Sequence, residues 1–177
     1  MRLSHLFATC GLALCLSAAP ALAGTTLRYP ATKPTVVVDV PEGWNAEEDK
    51  EDAENHKLTF SSKDESVPCQ IILMSLGKLD PKQYKTLVKK MGKVSAENAK
   101  MEEPDLTGPV ENKSGNGIPL TWEVAKGKVG DVNITLMIGL FTQKSATYAL
   151  IVSSESSILA DSAKTADQII DSIEVLK

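Results

Sequence analysis

Apolar and polar residues alternate most regularly between Ile118 and Ser153. Ile118, Leu120, Trp122 and Val124 share one parity, with Thr121, Glu123 and Ala125 between them. The pattern resumes after the glycine-containing segment Lys126–Asp131 as Val132, Ile134, Leu136, Ile138 and Leu140. After Lys144-Ser145 it continues in the same parity as Tyr148, Leu150 and Val152. Period-two spacing between turns predicts three consecutive antiparallel strands with these residues on one firmly buried face. The other parity is not polar, because it carries Met137, Phe141, Ala149 and Ile151. A sheet that is apolar on both sides needs cover on both sides.

The rest of the chain supplies further strands and the cover. Thr35–Val40 is rich in β-branched residues and predicts a strand, followed by a turn at Pro41-Glu42-Gly43 that presents Trp44. Leu58 and Phe60 mark a second strand and Cys69–Leu76 a third, joined by the polar segment Ser61–Pro68. Ile71, Ile72, Leu73 and Met74 are apolar on both parities, which places the third strand in the sheet interior. Asp80-Pro81-Lys82-Gln83 has the capping residues that open a helix. Tyr84, Leu87, Val88 and Met91 form its apolar stripe, and Lys82, Lys85, Lys89 and Lys93 cluster on the opposite side. Pro104, Gly108 and Pro109 break any long element between Ala96 and Gly115, leaving a short strand at Val110–Lys113. Ser154–Ser157 offers N-caps for a terminal helix that buries Ile158, Leu159, Ala163, Ala166, Ile169, Ile170, Ile173 and Leu176, with Asp161, Lys164, Gln168 and Asp171 outside the stripe. The expected fold class is α+β: an antiparallel sheet of about six strands with amphipathic helices on both faces, an α/β/α sandwich.

Composition sets the destination. Residues 1–23 have a basic start at Arg2, an apolar stretch from Leu6 to Ala18 and the tripeptide Ala21-Leu22-Ala23, the pattern of a cleavable signal peptide. Residues 24–34 then form an extended lead-in and residues 35–177 a single α+β domain. Cys15 follows Leu14 rather than a small residue, which argues against a lipid anchor. No later stretch is long and apolar enough to span a membrane, so the expected location is the periplasm. The 177-residue chain carries a formal net charge of −4, and Arg28 is the one arginine after the signal peptide. Generic nucleic-acid binding is not expected on that balance, which leaves room for a local basic face. Cys10 and Cys15 leave with the signal peptide, so Cys69 has no partner for an internal disulfide and reads as a buried structural thiol.

Candidate chemistry is sparse. Glu47–Glu54 holds six acids in eight positions, including Glu47, Glu48, Asp49, Glu51 and Asp52. The run reads as a solvated loop, since the spacing fits no calcium loop and no glycine supplies the turn. His56 is the one histidine left after cleavage, so nucleophilic catalysis would have to use it, and a zinc site of usual composition is excluded. Gly115-Asn116-Gly117 and Gly127-Lys128-Val129-Gly130 read as hairpin turns rather than phosphate loops, and the tripeptides at Asn112 and Asn133 as chance matches to a glycosylation signal. No catalytic residue, cofactor site or metal site is assigned.

Val40-Pro41-Glu42-Gly43-Trp44, followed by Leu58-Thr59-Phe60-Ser61-Ser62 and closed by Ile169-Ile170-Asp171-Ser172-Ile173, resembles PsbP/Mog-type domains. In character the chain is similar to the bacterial envelope branch that contains DcrB. The resemblance spans about Thr35–Leu176. It implies an antiparallel sheet with helices on both faces and an accessory or binding role rather than a reaction, and it transfers no functional residue.

The sequence therefore points to an exported periplasmic accessory protein without catalytic activity, docking an envelope protein or an anionic surface. Lys82, Lys85, Lys89 and Lys93 are the candidate docking face, with the acidic run as a second. The alternative is a small cell-envelope hydrolase or hydrolase inhibitor, using His56 or Cys69 with a carboxylate in one case and the protruding acidic loop in the other.

Overall fold

The structure, a computed structural model, describes residues 25–29, 34, 36–48, 57–64, 69–144 and 146–176. Residues 1–23, where a signal peptide is expected, residues 49–54 of the acidic run and His56 lie outside these. The described residues form ten strands: β1 (Thr25–Tyr29), β2 (Val36–Val40), β3 (Trp44–Glu48), β4 (Lys57–Ser62), β5 (Cys69–Ser75), β6 (Glu102–Lys113), β7 (Pro119–Val129), β8 (Val132–Gln143), β9 (Ala146–Glu155) and β10 (Glu174–Val175). Two α-helices, α1 (Tyr84–Asn98) and α2 (Leu159–Ser172), are each preceded by a 3₁₀ turn. The fold is α+β.

Seven strands form one antiparallel sheet in the order β3-β4-β5-β9-β8-β7-β6. β5 lies between β4 and β9, the interior place that its two-sided apolarity requires. From β5 the chain crosses the sheet as α1, starts again at the far edge with β6, and returns strand by strand to pair β9 with β5. Asp80 caps the turn before α1 by accepting from the Lys82 amide at 3.0 Å, with Pro81 in the first turn. Tyr84 opens the helix buried, its hydroxyl bonded to Thr147 Oγ1 at 2.8 Å and to Thr142 Oγ1.

The two faces of this sheet differ from the even/odd division expected from the pattern. β7 pairs with β8 through Leu120–Phe141, Trp122–Gly139 and Val124–Met137, and β8 with β9 through Met137–Val152, Gly139–Leu150 and Phe141–Tyr148. A two-residue turn pairs residues whose numbers sum to an odd value, so parity inverts at each hairpin. Ile134, Leu136, Ile138 and Leu140 therefore lie on the face opposite Trp122 and Leu150, while Met137 and Phe141 join Trp122. The requirement for cover on both sides is unaffected.

The Trp122 face packs against α2 and against a three-stranded sheet, β1-β2-β10. Tyr29, Val36, Val38, Ile169, Ile170 and Ile173 fill this core with Phe60, Leu73, Phe141 and Leu150. The Ile138 face is covered by α1 through Tyr84, Val88 and Ala96. The cover on the first face is thus part helix and part sheet.

Several elements depart from expectation. β6 runs for 12 residues through Pro104, Gly108 and Pro109, where only a short strand was expected. It is the sheet edge, and an edge strand tolerates proline where its N–H side has no ladder partner. Thr25–Tyr29 of the lead-in pairs along β2, and Glu47 and Glu48 end β3 rather than standing in a loop. The terminal helix stops at Ser172. Ile173 is extended, with its carbonyl held by Gln143 Nε2 at 3.2 Å, and Glu174–Val175 pair with β2. No serine side chain caps α2: Ser154 Oγ bonds Ser162 Oγ at 2.8 Å, and Ser157 Oγ donates to Glu155.

Candidate functional site

Lys82, Lys85, Lys89 and Lys93 are all exposed, but they do not stand opposite the buried stripe of α1. The residues that α1 buries are Tyr84, Val88, Gly92 and Ala96, whereas Leu87 and Met91 are only half-buried. At about 100° per residue this stripe is turned toward the lysines, which line its flank on the side of β6. Gly92 permits the turn, because a Cβ there would meet Glu123 Cγ of β7 at 2.6 Å. Lys85 Nζ reaches Glu111 of β6 at 3.3 Å, and Lys93 pairs with Glu97 at 3.9 Å. Both pairs are exposed and so worth only a few tenths of a kcal/mol. Lys82 and Lys89 make no ion pair among the described residues, and Lys90 adds a further exposed lysine.

The acidic candidates lie elsewhere. Glu47 and Glu48 belong to β3, at the opposite edge of the seven-stranded sheet from β6. At about 4.8 Å per strand, the lysine row and the acidic strand are separated by roughly 25–30 Å. Asp49, Glu51 and Asp52 fall outside the described residues. The structure therefore presents two separate surfaces rather than one site.

Cys69 is buried, and burial raises its thiol above the ordinary range, with Ser162 and Ser154 hydroxyls opposing the shift. A thiol held protonated is a poor nucleophile, and Cys69 lines neither surface cleft described below. A hydrolase built on Cys69 has no support from this placement, and His56 lies outside the described residues. Among the described residues, no group of three metal-binding side chains converges.

Two of the open clefts among the described residues stand out. One, of about 430 Å³, lies between the Pro41–Trp44 turn and the outer side of α2 at Asp161, Lys164, Thr165 and Gln168. The other, of about 320 Å³, lies along β6 and β7 at Asn112 and Leu120. No described helix is long and apolar enough to cross a membrane.

Two carboxyls were not singled out by the sequence. Glu123 is only 2% exposed, its Oε2 has no hydrogen-bond partner among the described residues, and burial raises it above the usual carboxylate range, opposed by Lys89. Its signal was misleading: it occupied the polar phase of a strand whose two faces are both covered. Asp167 on α2 is half-buried and pushed up to about 6, first by burial and then by Asp171 one turn on. The Asp171 carboxylate is itself occupied, accepting from Ser114 Oγ and from the Asn116 amide at 3.1 and 3.2 Å. This contact ties α2 to the β6–β7 turn.

Asp167 gives a pH prediction. Between about pH 4 and 6 the folded state holds a proton that the unfolded chain has released, so this carboxyl makes stability fall as pH rises through that window. The full displacement corresponds to about 3 kcal/mol, and partial exposure reduces it to about 1–2 kcal/mol. Asp167→Asn should raise stability by that amount at pH 7–8 and flatten its dependence between pH 4 and 6, measured by urea unfolding.

No family model and no curated protein matches the sequence. Solved structures do match the fold. The chain is similar to PsbP (CyanoP) of Synechocystis sp. PCC 6803, at 13% identity and TM-score 0.61, covering 92% of this chain and 99% of that one. It is similar to LpqN of Mycobacterium tuberculosis, a protein involved in cell envelope biogenesis, at 12% identity and TM-score 0.55 over 89% and 93% of the two chains. It is also similar to the Ran-binding protein Mog1p of Saccharomyces cerevisiae, at 9% identity and TM-score 0.53 over 86% and 96%. The chain has the fold shared by PsbP and Mog1p, as the resemblance in its motifs implied.

Proposed function

We propose that this protein is an exported periplasmic accessory protein without catalytic activity, which docks an anionic envelope partner through the flank of α1. The observation that carries this reading is the row Lys82, Lys85, Lys89 and Lys93. It places four exposed positive charges within roughly 16 Å along one side of α1 and the turn that precedes it, in a chain that is acidic overall. The fold supports it, since one structural neighbour is named for binding Ran and another for its part in envelope biogenesis. The signal-peptide pattern of residues 1–23 supports export, and residues 35–177 act as a single domain in this reading.

Lys85→Glu combined with Lys89→Glu should lower capture of the partner from native envelopes by tenfold or more. The thermal midpoint should change by only a few degrees, because the ion pair that is lost is exposed. Wild-type capture should also weaken as salt rises. Undiminished capture by the double variant would remove this face from the function.

A further inference from the structure

Glu123 sits at the centre of β7 in a space left by two glycines. A Cβ on Gly92 of α1 would approach its Cγ to 2.6 Å, and a Cβ on Gly108 of β6 would approach its Oε2 to 3.0 Å and the Trp122 carbonyl to 2.9 Å. Neither helix nor edge strand could close over this side chain with a larger residue at those positions. The β6–β7 ladder is irregular at the same place. Thr107 pairs with Val124 and Val110 with Trp122, so Gly108 and Pro109 together oppose Glu123 alone. Two residues against one is a bulge that lifts the edge strand, and Pro109 has no N–H with which to tie it down.

The charged groups around this carboxyl are few. From α1, Lys89 acts on it, with Lys85 and Lys93 one turn to either side. From β6, Glu111 faces the same side but is engaged by Lys85, and Asp105 lies opposite Lys126 further along the strand. From β8, its cross-strand partner is Ile138, which carries no charge. No ion pair reaches Glu123 among the described residues. A neutral carboxyl fits this enclosure at the cost of unmet hydrogen bonds, whereas a carboxylate there demands a cation or water.

We propose that Glu123 is a proton-operated latch between α1, β7 and the edge strand β6. Protonated, it seals the helix and the edge strand over the glycine-lined space. Ionised, it draws water in at the Gly108–Pro109 bulge and pulls Lys89 inward, loosening β6 while the β4–β5–β9 part of the sheet stays closed. A carboxyl held above its unfolded-state range favours the closed form at lower pH and loses that contribution as pH rises.

Amide hydrogen exchange of ¹⁵N-labelled protein tests this, with intrinsic rates corrected between about pH 4 and pH 8, a range that brackets the ordinary glutamate value and extends well above it. Protection of those amides between Asp105 and Glu111 that donate to β7 should fall severalfold over that range, while Ile71 and Leu73 remain unchanged. Glu123→Gln should abolish the pH dependence at β6. Lys89→Met, which leaves the buried side chain in place, should move the midpoint of the transition to higher pH. Flat protection of β6 in the wild type would overturn the proposal, as would the same pH dependence in Glu123→Gln. An unmoved midpoint in Lys89→Met would overturn the part assigned to Lys89.

Discussion

Gly139→Val should destabilise the fold by about 4 kcal/mol or more, enough to leave much of the protein unfolded at 37 °C. Gly139 pairs with Trp122 across β7 and β8, and the indole lies over the glycine. A Cβ at this position would come within 2.5–2.7 Å of three ring carbons. The ring has no free direction in which to yield. It is 4% exposed, packs in the core of the α2 face, and its Nε1 donates to Asn112 Oδ1 at 2.9 Å. Overpacking alone costs about 1–3 kcal/mol, and displacing a buried tryptophan adds a substantial part of the 3–5 kcal/mol of its deletion. Removing the ring should relieve the strain. In Trp122→Ala/Gly139→Val the two effects should fall short of additivity by more than 1 kcal/mol in urea unfolding. A loss below 1 kcal/mol for Gly139→Val alone would show that the indole is not seated there.

The second large effect is expected at Ile170. This side chain is fully buried and carries α2 onto the core formed by β2 and the Trp122 face of the sheet. Ile170→Ala removes three carbons from a site hemmed in by two sheets, which limits collapse of the cavity. The expected loss is about 3–4 kcal/mol. Lys164→Ala, on the exposed side of the same helix, should change stability by less than about 0.5 kcal/mol. Equal effects at the two positions would mean that α2 does not cover this face.

The parts of this fold that could be read from sequence were those with a local signature. The meander, the capped start of α1 and the apolar stripe of α2 follow from spacing within about fifteen residues. Placement of β5 in the sheet interior followed from Ile71–Met74, because apolar residues on both parities leave a strand nowhere else to be. What escaped depends on pairing between distant segments. Glu47–Glu48 and Glu174–Val175 are strands only because Thr59, Leu58, Val37 and Val36 offer them partners. The proline-rich β6 looked broken because the sequence does not reveal that it is an edge. Parity across hairpins leaves no signature in the sequence, because both faces are apolar and neither assignment leaves a visibly misplaced charge.

The candidate site was legible in part. The lysines are exposed as expected, but their position relative to the buried stripe was set by Gly92, a residue with no hydrophobic signal of its own. By letting Glu123 beneath it, Gly92 rotates the stripe and brings the lysine row onto the β6 flank. Cys69 is the buried thiol that its apolar neighbours indicated. Glu123 was hidden among polar positions, since sequence pattern cannot separate a solvated glutamate from one enclosed by a helix.

Docking through the lysine flank of α1 is tested most directly by site-specific photo-crosslinking in intact envelopes. The photoreactive residue should be placed at Thr86, which is exposed beside Lys82, Lys85 and Lys89, and in parallel at Asn45, which is exposed on β3 at the opposite edge. One discrete adduct is expected from Thr86, lost when Lys85 and Lys89 are reversed to glutamate, and none from Asn45. An adduct from Asn45 with none from Thr86 would contradict docking through this flank.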